Sequence, residues 1–87
     1  TNAHKILHYI FITNKDNLND EFYYSEIAED EFGDTEYKDS INPWERYRGA
    51  CREIKNKILE QTDGKINDFI FFNTGHSGRI KINSKYL

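Results

Sequence analysis

The chain has no methionine, a single cysteine (Cys51) and a single proline (Pro43). One cysteine excludes an internal disulfide, and with it go the paired-cysteine patterns that build structural zinc sites. No apolar run approaches the roughly 20 residues that span a bilayer, and no basic stretch leads into an apolar one as in a signal peptide. These absences lead us to expect a cytoplasmic protein with no membrane partner. The lack of methionine even at position 1 makes a piece of a longer protein the expectation, with residues 1–87 forming one domain.

Catalytic patterns are missing as well. His4, His8 and His76 are scattered, and there is no Ser nucleophile motif and no Gly-rich loop to cradle a phosphate. Glu29, Asp30, Glu31 and Asp34 offer carboxylates, but without the alternate spacing of a calcium loop, so they read as a solvated helix end. Cys51 lies mid-stripe on an apolar helix face and reads as a small core residue. We therefore expect neither an enzyme, nor a cofactor, nor a metal.

What the chain does have is aromatic mass and segregated charge. Six Phe, six Tyr and Trp44 supply the large side chains that disordered segments lack. The net charge of −3 conceals a division. Residues 1–42 carry three Lys against ten acids, a balance of −7, whereas residues 43–87 carry nine Lys or Arg against five acids, a balance of +4. A polarised domain of this kind can turn a positive face to phosphate while its overall pI stays acidic. Chance clustering on solvated surfaces would give the same numbers.

The hydrophobic pattern predicts three helices and a hairpin. Ala3 to Ile12 is a helix apolar around much of its circumference, followed by a polar loop to Asp20 and a strand stub at Glu21–Tyr24. Ser25 is the expected N-cap of a short helix with Ile27, Ala28 and Phe32 inward, closed by Gly33 in the left-handed conformation. After a polar loop from Asp34 to Ile41, Asn42-Pro43-Trp44-Glu45 combines an expected N-cap, a first-turn proline and an early acid. Trp44, Tyr47, Cys51, Ile54 and Ile58 then form one stripe of a third helix over residues 43–61, ended by Thr62-Asp63-Gly64. Residues 69–83 read as strand, turn, strand, with Ile80 and Ile82 inward and Arg79, Lys81 and Asn83 outward. The fold class expected is α+β, a winged helix-turn-helix in which two helices support a third and the hairpin is the wing.

Three segments carry a resemblance to a family. EFYYSEIAEDEFGD resembles the short strand and Ser-capped second helix of the OmpR/PhoB-type DNA-binding domains of bacterial response regulators. PWERYRGACREIKNKILEQ resembles their recognition helix, with Arg52, Ile54, Lys57 and Ile58 at its basic and apolar positions, and INDFIFFNTGHSGRIKIN resembles their wing. The family's amino-terminal sheet and receiver domain have no counterpart here, and Glu45, Glu53 and Glu60 make the third helix less basic. The resemblance implies the output domain of a transcription regulator that binds double-stranded DNA.

On the third helix Arg48, Arg52 and Lys55 form a basic stripe, with Arg46, Asn56 and Lys57 towards its far side. Arg can donate two hydrogen bonds to guanine, Asn can bridge adenine, and lysines suit phosphates. Glu45 and Glu53 could accept from cytosine, or simply pair with neighbouring cations at i+3 and i+4. Gly49 costs about 1 kcal/mol in a helix interior, which suggests a close approach to DNA or to a neighbouring element, or drift. In the wing, His76, Arg79 and Lys81 are placed for the backbone or minor groove. Asp34, Glu36 and Asp39 make the 33–41 loop acidic, a surface for RNA polymerase or another protein. The competing readings are a winged helix used for protein–protein contact and a DNA-targeting module of a larger enzyme.

Overall fold

A computed structural model describes residues 1–75 and 77–87. The architecture is α+β: three α-helices and a small antiparallel sheet of three strands. Helix α1 spans Asn2–His8 and continues without a break as a π-helical turn over Tyr9–Thr13. The continuation ends where Asn14 bonds the Tyr9 carbonyl twice, through its backbone N–H at 3.0 Å and its side-chain amide at 2.8 Å. Ala3, Ile6, Tyr9 and Ile10 are buried, so this first helix is as central as its composition implies.

Strand β1 (Phe22–Tyr23) runs directly into helix α2 (Tyr24–Asp30). Ser25 is not the cap expected of it, since it lies inside the helix. The reason is local. Tyr24 N–H donates 2.9 Å to the Gly78 carbonyl of the hairpin, so a first-turn donor has a backbone acceptor and the helix starts before the serine. At the other end Gly33 takes φ +60°, and Asp34 N–H reaches back 2.8 Å to Ala28 O, the expected left-handed closure.

Helix α3 spans Glu45–Gln61, two residues shorter at its start than the predicted 43–61. Asn42 is not its N-cap either. It sits at φ +53°, and its carbonyl accepts from Glu45 N–H at 3.2 Å, so a separate turn precedes the helix. Tyr47, Ala50, Cys51 and Ile54 are buried. Trp44, expected in the core, is half-buried at its edge.

Strands β2 (Ile70–Phe72) and β3 (Arg79–Ile82) form the hairpin, and β1 joins the far side of β3 to give the order β1-β3-β2. Phe22 pairs with Ile80, Tyr23 with Arg79, Phe71 with Lys81 and Ile70 with Ile82. Side chains alternate along each strand, so Phe22, Ile70, Ile80 and Ile82 enter the core while Tyr23, Phe71, Arg79 and Lys81 share the outer face. The core lies between that sheet and helices α1 and α3.

One close approach decides whether the layers fit. A Cβ built at Gly78 would lie 2.3 Å from the Tyr24 ring, while one at Gly49 meets nothing within 4 Å. Gly78→Ala should therefore destabilise the domain by about 1–3 kcal/mol through overpacking, and Gly49→Ala should stabilise it by up to about 1 kcal/mol. Denaturant unfolding of the two variants beside the parent checks both signs.

Burial also holds protons on. The Cys51 thiol is pushed up to about 12 by desolvation, and the Tyr9 phenol to about 12 by burial and then by its bond to Asp30. Tyr24 and Tyr47 are raised in the same direction, chiefly by burial. The unfolded chain releases these protons at the ordinary values near 9 and 10, while the folded one keeps them. Their contribution to stability is complete below about pH 9 and is lost as pH rises towards about 12. Melting temperatures should fall steadily above pH 9, and a flat profile through pH 11 would contradict this.

Candidate nucleic-acid interface

The helix α3 is placed by its buried face, and everything else about the surface follows from that. With Tyr47, Ala50, Cys51 and Ile54 inward and about 100° per residue, the outward direction falls between Arg52 and Asn56. Arg48 and Lys55 flank it on one side and Arg46 and Lys57 on the other. The buried side centres nearer Tyr47 and Ile54 than Cys51, which brings Arg52 and Asn56 to the middle of the exposed face. A shallow groove of about 380 Å³ runs along this face, lined by Gly49, Arg52, Glu53, Asn56, Lys57 and Glu60.

Among the described residues the ion pairs are His8–Glu31, Arg79–Glu21 and Lys85–Asp68. None involves α3, although Glu45, Glu53 and Glu60 lie at pairing distance in sequence from its cations. Its arginines near the start are held by rings instead. The Arg46 guanidinium lies 4.7 Å from the centre of the Phe32 ring, and that of Arg48 lies 5.7 Å from the Trp44 ring. Stacking of this kind fixes the side chain while leaving the charge unneutralised. Arg48 Nε is enclosed and has no hydrogen-bond partner among the described residues.

The hairpin cations are placed differently. Arg79 donates to Glu21 at 2.9 Å and to the Tyr23 hydroxyl at 3.4 Å, and Lys81 Nζ donates 2.7 Å to the Asn19 carbonyl. Both stand on the outer face of the sheet, which looks away from α3, and both tie the loop before β1 to the hairpin. His76, the third wing residue named from the sequence, lies outside the described residues. The hairpin's base is pinned from inside: Tyr24 OH donates 2.7 Å to Asn73 O, and Arg79 N–H donates 2.7 Å to Asn73 Oδ1.

The acidic loop is divided in the same way. Asp34 is half-buried and accepts from Tyr47 OH at 2.7 Å and from Glu36 N–H at 3.1 Å, so it secures the loop rather than facing outward. Glu36 and Asp39 are exposed as expected. Tyr37, unremarked in a loop that reads as polar, is buried with its ring 5.8 Å from that of Tyr47. A single ring among polar residues has no periodicity to mark it in the sequence.

No group of three or more His, Cys, Asp or Glu is arranged to hold a metal ion among the described residues, and no helix is long and apolar enough to cross a membrane. Cys51 is buried, and its raised pKa leaves the thiol protonated and unreactive at neutral pH.

Because the Tyr47 hydroxyl is buried against Asp34, breaking that bond should cost more than removing a surface charge. Asp34→Ala should destabilise the domain by about 1–3 kcal/mol, whereas Glu36→Gln with Asp39→Asn should stay within about 0.5 kcal/mol. Thermal unfolding of the two variants checks the contrast.

Comparison of the chain with models of protein families, with characterised proteins and with solved structures finds no match in any of the three.

Proposed function

We propose that this domain is a winged helix that binds double-stranded DNA, with α3 as the recognition helix and the β2–β3 hairpin as the wing. The observation that carries the reading is the exposed face of α3, where Arg52, Asn56 and Lys57 line a groove and, among the described residues, no cation of the helix is neutralised by an ion pair. The element order supports it: a helix, a strand, two helices and a hairpin, with β1 added beside β3. In this reading Arg52 and Asn56 meet base edges in the major groove, while Arg46, Arg48 and Lys57 meet phosphates along its rims. The wing contributes through its tip around Gly75, because Arg79 and Lys81 stand on the outer face of the sheet, away from α3. The role is that of an output domain of a transcription regulator, with Glu36 and Asp39 left for a protein such as RNA polymerase.

A second reading, docking to another protein, has one observation in its favour. Glu45, Glu53 and Glu60 lie on the same exposed face of α3 and would repel phosphate. The two separate in a titration of labelled duplex pools at low and moderate salt. DNA binding requires affinity that falls with salt at a log–log slope of about −0.9 for each phosphate neutralised. Arg52→Ala should weaken duplex binding by about 1–3 kcal/mol and leave the melting temperature nearly unchanged. Arg79→Ala should barely alter it. Absence of duplex binding at low salt would favour the protein partner.

A further inference from the structure

We propose that the outer face of the sheet is a second binding site, one that takes unpaired bases of single-stranded nucleic acid. The inference does not depend on the function of α3.

Four side chains share this face by register: Tyr23 on β1, Arg79 and Lys81 on β3, and Phe71 on β2. The two rings are on the outer strands and the two cations on the strand between them. Phe71 is 51% exposed and Tyr23 37%, in a sheet whose other face is closed by Phe22, Ile80 and Ile82. Phe71 is not part of the core, and its partner across the strand is the lysine Lys81. With strands about 4.8 Å apart and the two rings offset by two residues along β3, the rings stand roughly 12 Å from each other on the diagonal, with the cations in the interval. Exposed rings with cations between them match a strand whose bases stack and whose phosphates lie between the bases. The Arg79 guanidinium already lies 5.7 Å from the centre of the Tyr23 ring, which adds a flat cationic surface beside it. A shallow hollow of about 230 Å³ continues the platform past Phe72 and Asn73.

Duplex DNA does not fit this chemistry, because its bases are stacked on one another and offer no faces. The face also carries a brake. Glu21 holds Arg79 at 2.9 Å, with both side chains about half exposed, and this carboxylate lies where a phosphate would approach. Its charge limits the site to a balance of one positive charge, so removing it should strengthen binding.

The test is fluorescence anisotropy of the 87-residue chain with labelled oligothymidylate at low salt, with unlabelled duplex as competitor. The chain should bind the oligonucleotide and keep it when duplex is added. Phe71→Ala should weaken that binding on the order of 10-fold, the loss of one stacked base, with duplex affinity unchanged. Phe71→Tyr, which keeps the ring, should restore it, and Glu21→Gln should tighten it. Circular dichroism melts of each variant separate lost contact from lost fold. No binding of oligothymidylate by the parent overturns the proposal, as does equal affinity of the parent and Phe71→Ala, or displacement by duplex. A change confined to sedimentation, with Phe71→Ala abolishing self-association alone, overturns it in favour of a second copy of the chain. Loss of duplex binding in Arg52→Ala reports only on α3, so the two surfaces fail or hold separately.

Discussion

Tyr24 is the side chain on which the layers of this domain depend. It is the first residue of α2 and is fully buried. Its backbone N–H takes the Gly78 carbonyl, its hydroxyl takes the Asn73 carbonyl, and its ring lies against Gly78 and 6.1 Å from the Tyr47 ring. One residue thereby joins α2, both ends of the hairpin turn and the first turn of α3. A buried phenol is tolerated only when its hydroxyl has a partner, and here that partner fixes where the hairpin turns. Any larger residue at 78 would push the ring away and with it the hairpin, so the position of the hairpin relative to α3 is set by a glycine and a tyrosine with no charge involved.

The charges on the two surfaces obey a different constraint. On α3, Arg46 and Arg48 lie over aromatic rings, which orients them without neutralising them. On the sheet, Arg79 has both a ring and a carboxylate. The acids of the first half are drawn partly into the interior work of the fold: Asp30 accepts from Tyr9 OH at 3.0 Å, Asp34 from Tyr47 OH, and Glu31 meets His8 at 2.9 Å. The division of charge along the sequence therefore does not translate into one acidic and one basic side of equal freedom. More of the cations of α3 than of the acids of α2 and its following loop are left for a partner.

Element order was legible in the sequence because apolar spacing is a local property: the buried Ile27 and Ala28, the middle of the α3 stripe at Tyr47, Cys51 and Ile54, and the alternation Arg79–Ile82 appear as read, while Trp44 and Ile58 at the stripe's ends are only partly buried. The starts of α2 and α3 were not, and the reason is the same for both. Ser25 and Asn42 are good capping residues, but the free donors of α2 and α3 meet backbone carbonyls brought by Gly78 from 54 positions away and by the turn at Asn42 itself. Capping rules assume that an exposed helix end has only its own side chains to use. Tyr37 escaped for a related reason: a single ring in a polar loop has no periodicity, and only the distant Tyr47 gives it a place to pack. The outer sheet face was half visible. Arg79 and Lys81 were read as outward, but in the run Phe69–Phe72 the alternation is concealed, since every position is apolar and nothing in the residue types says which ring faces water.

Strand β3 is the element the two candidate surfaces share. Ile80 and Ile82 lie in the core with the buried face of α3, while Arg79 and Lys81, one position away each, stand on the opposite side. A strand cannot move one set without the other, because successive side chains are fixed on opposite faces by the backbone. Its register is held by β1 on one edge and β2 on the other, and Arg79 N–H is anchored by the Asn73 side chain at the turn. Packed cores resist small displacements. Contacts made on the outer face therefore meet a strand held in place by its inward side chains, and the two candidate surfaces stay on opposite sides of one fixed element.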